Sequence, residues 1–178
     1  RPSTFFGNGI VAHVAFADPF CPVLSRQLLD ACAAVGARVH AGGTYVCMEG
    51  PQFSTRAESH LYRSWGASVI GMTNLQEAKL AREAEICFAT LALATDYDCW
   101  HEAHEDVVIE DILRIMHANV ATARRVVAAA APRLPSERAC ACATALANAI
   151  ITDRAAIPAK TRRDLAPIAG RYLGEGGS

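Results

Sequence analysis

The fold class follows from one stretch of the chain, Ile86-Cys87-Phe88-Ala89-Thr90-Leu91-Ala92-Leu93-Ala94-Thr95-Asp96-Tyr97-Asp98-Cys99-Trp100. The apolar run that begins this stretch predicts a buried strand ending near Ala94. Alternate residues of a strand share a face, so we expect Asp96 and Asp98 to point the same way just beyond its end. Ligands of open α/β sheets bind at the carboxyl ends of the strands, which makes this pair a candidate binding site.

The chemistry of Asp96 and Asp98 suits the edge of a purine ring. Neighbouring carboxylates raise each other's pKa, so one can stay protonated near neutral pH while the other ionises. Such a pair donates one hydrogen bond and accepts another. The N7 atom and the 6-amino group of adenine require that combination, because N7 must gain a proton if the base is to leave.

The spacing of the two aspartates alone leaves two other interpretations open. Asp residues after a strand are common in solvated turns and at N-caps. Paired carboxylates also suit Mg²⁺, and Glu102 and Glu105 lie downstream. We rank the metal site last, because no phosphate-cradling loop with its lysine lies nearby in the sequence.

Composition indicates a globular protein that binds neither nucleic acid nor membranes. The chain has 178 residues, 52% of them hydrophobic and 20% charged, with a formal net charge of -1. Such a balance gives no electrostatic footprint for nucleic acid or an anionic membrane. No apolar run has the length that spans a bilayer. Arg1-Pro2-Ser3-Thr4 is not typical of a signal peptide, so we expect a cytoplasmic location.

The cysteines also fit a reducing compartment. There are seven, an odd number that cannot all pair within the chain: Cys21, Cys32, Cys47, Cys87, Cys99, Cys140 and Cys142. Most lie in apolar patterns, as small buried hydrophobic residues do. Cys140-Ala141-Cys142 allows a strained disulfide or a metal site. With no second Cys or His cluster nearby in sequence, zinc is disfavoured, and we expect free thiols on a helix.

Strands alternating with helices predict an α/β fold. We predict strands over Gly9–Phe16, Val39–Met48 (broken at Gly42-Gly43), Ala67–Gly71 and Ile86–Ala94. We predict helices over Cys21–Val35, from the capping box Thr55-Arg56-Ala57-Glu58 to Trp65, and over Leu75–Glu85, Val107–Ala131 and Glu137–Ile151. Prolines and glycines after Ile151 predict a loosely packed, flexible tail over about 155–178. No linker or repeat is present, so we expect residues 1–178 to be part of a single domain.

Three segments of the chain are similar to the purine nucleoside phosphorylase family. They are Gly43-Thr44-Tyr45-Val46-Cys47-Met48-Glu49-Gly50-Pro51-Gln52-Phe53-Ser54-Thr55-Arg56-Ala57-Glu58, then Gly71-Met72-Thr73-Asn74, then Thr95-Asp96-Tyr97-Asp98-Cys99-Trp100. The resemblance runs from about Gly9 to Val127 and is strongest to the branch that acts on 5′-methylthioadenosine. It implies a three-layer α/β fold with a mixed central sheet.

The resemblance also implies roles for particular residues. Asp96 would protonate purine N7 as general acid, and Asp98 would bind the 6-amino group. An Asn at the first of these positions would suit a 6-oxopurine instead, so the pair favours adenine. Phe53 would lie against the purine face, with the Ser54 hydroxyl nearby. From the residues alone, Phe53 is equally a core aromatic and Ser54 a helix cap.

The remaining implied contacts concern the ribose, the phosphate and the 5′ group. Met72 would pack on the ribose, near Glu49, and Thr73 would bind phosphate. His13 would reach a neighbouring subunit's 5′ pocket, while Ile109 and Ile112 on one helical face would line the methylthio pocket. From the residues alone, Met72 and both isoleucines are also explained as core side chains, and His13 as an ordinary strand histidine.

The implied reaction is reversible phosphorolysis of 5′-methylthioadenosine to adenine and 5-methylthioribose 1-phosphate. Phosphate is a co-substrate, and no cofactor or metal is implied. The implied assembly is a homotrimer with sites at subunit boundaries. The family's Gly-rich phosphate loop and Arg-His phosphate site have no counterpart here. We therefore expect the chain to be the C-terminal part of an enzyme whose N-terminal part, on the same or a separate chain, completes the phosphate site.

Three alternatives stay open at this point. One is a phosphorylase for adenosine or another purine nucleoside. A second is a nucleoside-binding module without catalysis. A third is an α/β interaction domain, which explains the apolar composition but not the three ordered motifs.

Overall fold

The computed structural model describes residues 1–101 and 109–174, with the backbone but not the side chain of Ile109. In these ranges five α-helices and two strands follow one another as α1 (Pro22–Ala34), β1 (Thr44–Cys47), α2 (Arg56–Ser64), β2 (Ala67–Gly71), α3 (Asn74–Glu83), α4 (Ile109–Ala130) and α5 (Ala159–Leu173). No helix among the described residues is both long enough and apolar enough to cross a membrane.

The chain forms two compact units. The first unit takes Arg1–Leu24, Leu75–Ala89 and the chain from Ser136 onward, and the second takes Ser25–Asn74 and Thr90–Pro135. Each unit is therefore assembled from segments that are distant in sequence.

The second unit contains a β-α-β element. β1 and β2 pair in parallel, with Tyr45 opposite Val69 and Cys47 opposite Gly71. A side chain at Gly71 would collide with the Tyr45 hydroxyl, since a Cβ there would lie 1.7 Å from it. A larger residue at this position would therefore require the Tyr45 side chain to move.

Helix α2, which connects these strands, begins and ends as the sequence predicts. The Thr55 side chain accepts a hydrogen bond from the Glu58 backbone N–H, and the Glu58 carboxylate accepts one from the Thr55 N–H at 2.7 Å. This capping box satisfies two N–H groups of the first turn. The helix ends at Trp65, and Gly66 then takes a φ of +77°, which favours glycine.

The core of the second unit lies between α1 and α4. Ala31 and Cys32 of α1 are buried together with Val126 and Ala130 of α4. These four side chains form a buried apolar cluster between the two helices. The 22 residues of α4 agree with the predicted helix from Ile109 on, while its predicted start at Val107 lies outside the described residues.

The core of the first unit is built on α5. Its buried residues recur every four positions, at Thr161, Leu165, Ala169 and Leu173, as one face of a helix requires. This face packs with Ile10 and Leu146. The prediction of a loosely packed tail was therefore wrong over Ala159–Leu173. The prolines that suggested it are compatible with the helix, since Pro158 directly precedes α5 and Pro167 lies inside it.

A buried carboxylate joins α5 to the rest of the first unit. Glu85, only 6% exposed, accepts hydrogen bonds from Tyr172 Oη at 2.6 Å and the Leu146 backbone N–H at 2.9 Å, and it pairs with Arg171. Burial alone would raise the pKa of Glu85, but these three partners outweigh it and hold the pKa below its usual value. Glu85 is thus a structural anchor.

Three predicted elements are not formed in the structure, and a fourth is shorter than predicted. Residues 9–16 contain only an isolated antiparallel bridge, between Ala12 and Ile150, and residues 86–94 form no strand. A strand requires a hydrogen-bonded partner, and the described residues supply neither run with a continuous ladder. Residues 137–151 form no α-helix, because only a short 3₁₀ turn at Ala141–Thr144 is present. The first half of the predicted strand 39–48 is also absent.

The remaining helices and strands were predicted correctly to within a few residues. They are α1, β1, α2, β2, α3 and the described part of α4. Helix α1 ends with Gly36 at a φ of +68°, and the Ala37 N–H returns to the Cys32 carbonyl at 2.9 Å. The α/β class is therefore confirmed, and the described sheet is a parallel pair of strands.

Candidate functional site

The structure brings the first and third motifs together in the second unit. The Ser54 hydroxyl donates to both oxygens of Asp98, at 3.2 and 3.1 Å. The Cys99 backbone N–H donates to Asp98 Oδ1 at 2.9 Å, and the Cys99 thiol lies 3.5 Å from the Ser54 carbonyl oxygen. Two segments 44 residues apart in sequence therefore meet at one carboxylate.

These contacts keep Asp98 ionised. Partial burial alone would raise the pKa of Asp98, but hydrogen bonds from Ser59, Cys99 and Ser54 lower it below its usual value. The buried Ser59 hydroxyl does not meet the geometric criteria for a hydrogen bond. The hydrogen bonds to Asp98 are therefore those from the Ser54 hydroxyl and the Cys99 N–H. An ionised, half-buried carboxylate is an acceptor with lone pairs left for a ligand N–H group.

One face of α2 holds the segment that carries Asp98. Arg56 Nη1 donates to the Cys99 carbonyl at 2.7 Å, and the Arg63 guanidinium stacks 3.4 Å from the centre of the Trp100 ring. Sequence analysis assigned these two arginines no role. Their signal was available, because Arg56, Ser59 and Arg63 are spaced three and four residues apart and so share one face of a predicted helix.

Aromatic side chains surround the same segment. The Tyr97 ring stacks on His101 with centroids 4.6 Å apart, and it meets the edge of Trp100 at 5.8 Å. Tyr97 is nevertheless 60% exposed. The segment therefore combines an ionised acceptor with aromatic surface, as recognition of a flat heterocycle requires.

Asp96 has different surroundings from Asp98. Its side chain is exposed and accepts a hydrogen bond from the Thr95 hydroxyl at 2.9 Å. The prediction that both aspartates share one face rested on a strand that the structure does not contain. Asp98 instead contacts α2 and Ser54, while Asp96 remains open to solvent.

The other predicted residues of the second unit lie on the surface or in a half-buried position. Phe53, next to Ser54, is 83% exposed, and Thr73 and Glu49 are exposed. Met72 is half-buried and packs against Gly50, where a Cβ would lie 2.3 Å from the Met72 sulfur. This contact places Met72 beside the segment that carries Phe53 and Ser54.

The structure does not group the remaining predicted residues with this site. Ile112 is half-buried on α4, and the side chain of Ile109 lies outside the described residues. His13 belongs to the first unit, where its side chain is exposed and its backbone N–H donates to the Ala149 carbonyl at 2.8 Å. The roles assigned to these three residues stay predictions.

The described residues offer one cluster of metal-ligating side chains. It consists of Cys21, Cys87, Cys140 and Cys142, all in the first unit. No comparable cluster includes Asp96 or Asp98 within the described ranges. Glu102 and Glu105, which the magnesium interpretation used, lie outside them.

Comparison with known proteins gives consistent results. The model of the phosphorylase superfamily matches residues 1–132. The S-methyl-5'-thioadenosine phosphorylase of Geobacter sulfurreducens is 61% identical over 97% of this chain and 60% of its own length. The chain thus spans about 60% of the curated relatives that it matches.

Solved structures extend the similarity to three dimensions. A methylthioadenosine phosphorylase from an Antarctic soil metagenomic library superposes with a TM-score of 0.88 at 47% identity, covering 94% of this chain and 60% of that one. The methylthioadenosine phosphorylase of Schistosoma mansoni in complex with adenine gives a TM-score of 0.70 at 30% identity, covering 78% of this chain and 56% of that one.

Proposed function

This chain belongs to the phosphorylase superfamily, and from that premise we propose that it supplies the purine-binding part of a 5′-methylthioadenosine phosphorylase. The proposed reaction converts 5′-methylthioadenosine and phosphate reversibly into adenine and 5-methylthioribose 1-phosphate. The observation that carries the proposal is the contact of Ser54 with the ionised Asp98, since it joins two of the three motifs at one acceptor.

Asp98 and Asp96 have complementary roles in this proposal. The ionised Asp98 accepts a hydrogen bond from the 6-amino group of adenine, and Ser54 holds its carboxylate in place. Asp96 donates to N7 in its protonated, carboxylic acid form. As the C1′–N9 bond breaks, its electron pair passes to the purine, and protonation of N7 by Asp96 stabilises the leaving base.

In this proposal, other predicted residues would contact the nucleoside. The exposed ring of Phe53 is available to stack on the purine, and Met72, held by Gly50, would pack on the ribose. The methylthio group would lie against Ile109 and Ile112, where apolar walls favour it over a hydroxyl.

Phosphate binding requires more than this chain supplies. Phosphate sites use charged or multiple donors, and Thr73 provides one hydroxyl. We propose that the remaining phosphate ligands come from the part of the enzyme that the relatives carry beyond this match. No cofactor or metal takes part in the proposed chemistry.

We also propose a homotrimer with sites at subunit boundaries and a cytoplasmic location. Helix α4 supports an assembly, because its solvent side is an apolar row made of Leu113, Met116, Val120 and Val127, each at least 38% exposed. Size-exclusion chromatography with light scattering measures the molar mass of the protein in solution, and we expect that of a trimer. A monomer with full activity would contradict it.

The test of the proposed activity uses a fusion protein, here called the completed enzyme. It joins this chain to the part of the Geobacter sulfurreducens enzyme that the chain does not match. The two parts follow one another in the order that they have in that enzyme. We expect release of adenine from methylthioadenosine that requires phosphate and is slower with adenosine. Equal rates would indicate a general adenosine phosphorylase. Nucleoside binding without release would indicate a binding module.

A further inference from the structure

Four cysteines from three separate segments meet inside the first unit. The sulfur atoms of Cys21, Cys87, Cys140 and Cys142 all lie within 4.8 Å of one another, and those of Cys87 and Cys140 are 3.4 Å apart. All four are free thiols in the structure. We call this group the thiol cluster.

Local structure aims these sulfurs at a common point. Cys21 directly precedes α1, where the Leu24 N–H donates to its sulfur at 3.5 Å, and its own N–H donates to the Phe88 carbonyl at 2.7 Å. Cys140 precedes the 3₁₀ turn Ala141–Thr144, and Cys142 lies within it. An N–H donated to a sulfur is a typical outer contact of a metal-bound thiolate, and it orients the ligand.

We propose that the thiol cluster binds one zinc ion through four thiolates. Zinc in structural sites is tetrahedral, with Zn–S bonds of about 2.3 Å, which places the sulfurs roughly 3.8 Å apart. The 3.4 Å between the Cys87 and Cys140 sulfurs and the upper limit of 4.8 Å for every pair bracket that value. Cys21 and Cys142 are buried, at 0% and 6% exposure, so the ion would be enclosed.

Zinc binds cysteine as the thiolate, so the ion would displace the protons of the four thiols when it binds.

The geometry favours zinc over other uses of four cysteines. An iron–sulfur cluster places several irons and sulfides between its thiolates and needs wider spacing. Soft thiolate sites also accept copper(I) or a single iron, so the identity of the metal has to be measured. Four protein ligands leave no open position, which assigns the ion a structural role. The ion would connect Cys21 with Cys87, 66 positions further along the chain, and Cys87 with Cys140, another 53 positions further.

The sequence alone pointed away from this site. Cys140-Ala141-Cys142 has no second cysteine pair beside it in the chain, which was the reason to expect free thiols. The fold supplies the other two ligands from positions that no zinc-binding spacing would predict.

Metal analysis of the purified, reduced protein tests the proposal directly. We expect about one zinc per chain, lost in Cys21→Ser, Cys87→Ser, Cys140→Ser and Cys142→Ser. Cys47→Ser, a cysteine of the second unit outside the cluster, should retain it. Protein that contains no zinc would overturn the proposal, whether the cluster thiols were free or joined in a disulfide before reduction, as would iron or copper in place of zinc.

A second measurement on the wild-type protein does not depend on how the variants fold. Cobalt(II) added to metal-free protein should give the charge-transfer and visible bands of tetrahedral thiolate coordination, and equimolar zinc should abolish them. Zinc should also protect the four cluster cysteines from alkylation while Cys99, which is exposed, still reacts. Absence of these bands, or equal alkylation with and without zinc, would contradict the proposal.

Discussion

Asp98 in the second unit and Glu85 in the first unit are both ionised carboxylates with lowered pKa values, yet their surroundings differ. Glu85 is buried and receives hydrogen bonds from a backbone N–H, a phenol and a guanidinium. Asp98 is half-buried, accepts the Cys99 N–H at one oxygen and shares the Ser54 hydroxyl between both oxygens, next to the exposed Phe53.

The difference shows how a carboxylate that holds the fold is distinguished from one that can bind a ligand. Glu85 is buried and its two oxygens are occupied by three protein partners, so a substitution there should affect stability. The carboxylate of Asp98 has acceptor capacity left and lies beside aromatic surface, so a substitution there should affect binding. The following predictions test this distinction.

The largest expected effect is on turnover. Asp96→Asn in the completed enzyme removes the proposed general acid and should lower kcat by about 10²- to 10⁴-fold, with a smaller change in KM. Steady-state kinetics measure both. Asp30→Asn, an exposed aspartate on α1, is the matched control and should leave kcat unchanged. Equal activity of Asp96→Asn would remove Asp96 from the mechanism.

A smaller effect is expected at Asp98, and on binding. Asp98→Asn loses a charged acceptor for the 6-amino group, a loss of about 1.5–3 kcal/mol, or roughly 10- to 150-fold in adenine affinity. Calorimetric titration with adenine measures it. The melting temperature should change little, and a large fall in melting temperature with unchanged affinity would make Asp98 a structural residue like Glu85.

The opposite pattern is expected at Glu85. Glu85→Gln removes the charge that Arg171 and Tyr172 require and should cost about 2 kcal/mol of unfolding free energy, with adenine affinity unchanged. Denaturant titration measures this. Glu137→Gln, an exposed residue of the same unit, is the control. If Glu85→Gln is as stable as the control, the contacts of Glu85 with Arg171 and Tyr172 do not stabilise the packing of α5.

The same carboxylate predicts a dependence of stability on pH. The pKa of Glu85 is lower in the folded protein than its ordinary value of 4.5, so its contribution to stability is fully present above that value and is lost as pH falls through the folded pKa. Glu85→Gln should therefore flatten the acid side of the stability curve. If the unfolding free energy of Glu85→Gln falls at acid pH as steeply as that of the wild-type protein, other groups control acid unfolding.

The smallest effect is expected at the start of α2, which supports the Asp98 segment. Thr55→Ala removes the capping box and should cost about 1 kcal/mol of unfolding free energy. Thermal unfolding measures it, with Thr44→Ala as a control at an exposed threonine of β1. A change no larger than that of the control would show that the cap contributes nothing to stability.

Sequence reasoning succeeded where structure is determined locally. The capping box at Thr55, the glycine after α1 and the periodicity of α4 each depend on neighbours within a few residues, and all three were predicted. Ser54 and Asp98 were both placed near the purine because they lie in motifs of one family, although their contact with each other was not predicted.

Sequence reasoning failed where the local structure depends on contacts between segments that are distant in sequence. Whether the runs at 9–16 and 86–94 become strands depends on partners that a local pattern does not specify. The helix after Pro158 depends on burial against Ile10 and Leu146, and the thiol cluster depends on three segments meeting. Proline and glycine content predicted a loose tail because it takes no account of such packing.

The most direct test of the central claim is adenine release from methylthioadenosine by the completed enzyme, measured with and without phosphate. We predict release that requires phosphate, falls by at least about 10²-fold in Asp96→Asn and is unchanged in Asp30→Asn. A folded fusion that binds no adenine and releases none would contradict the proposal that this chain carries the purine site.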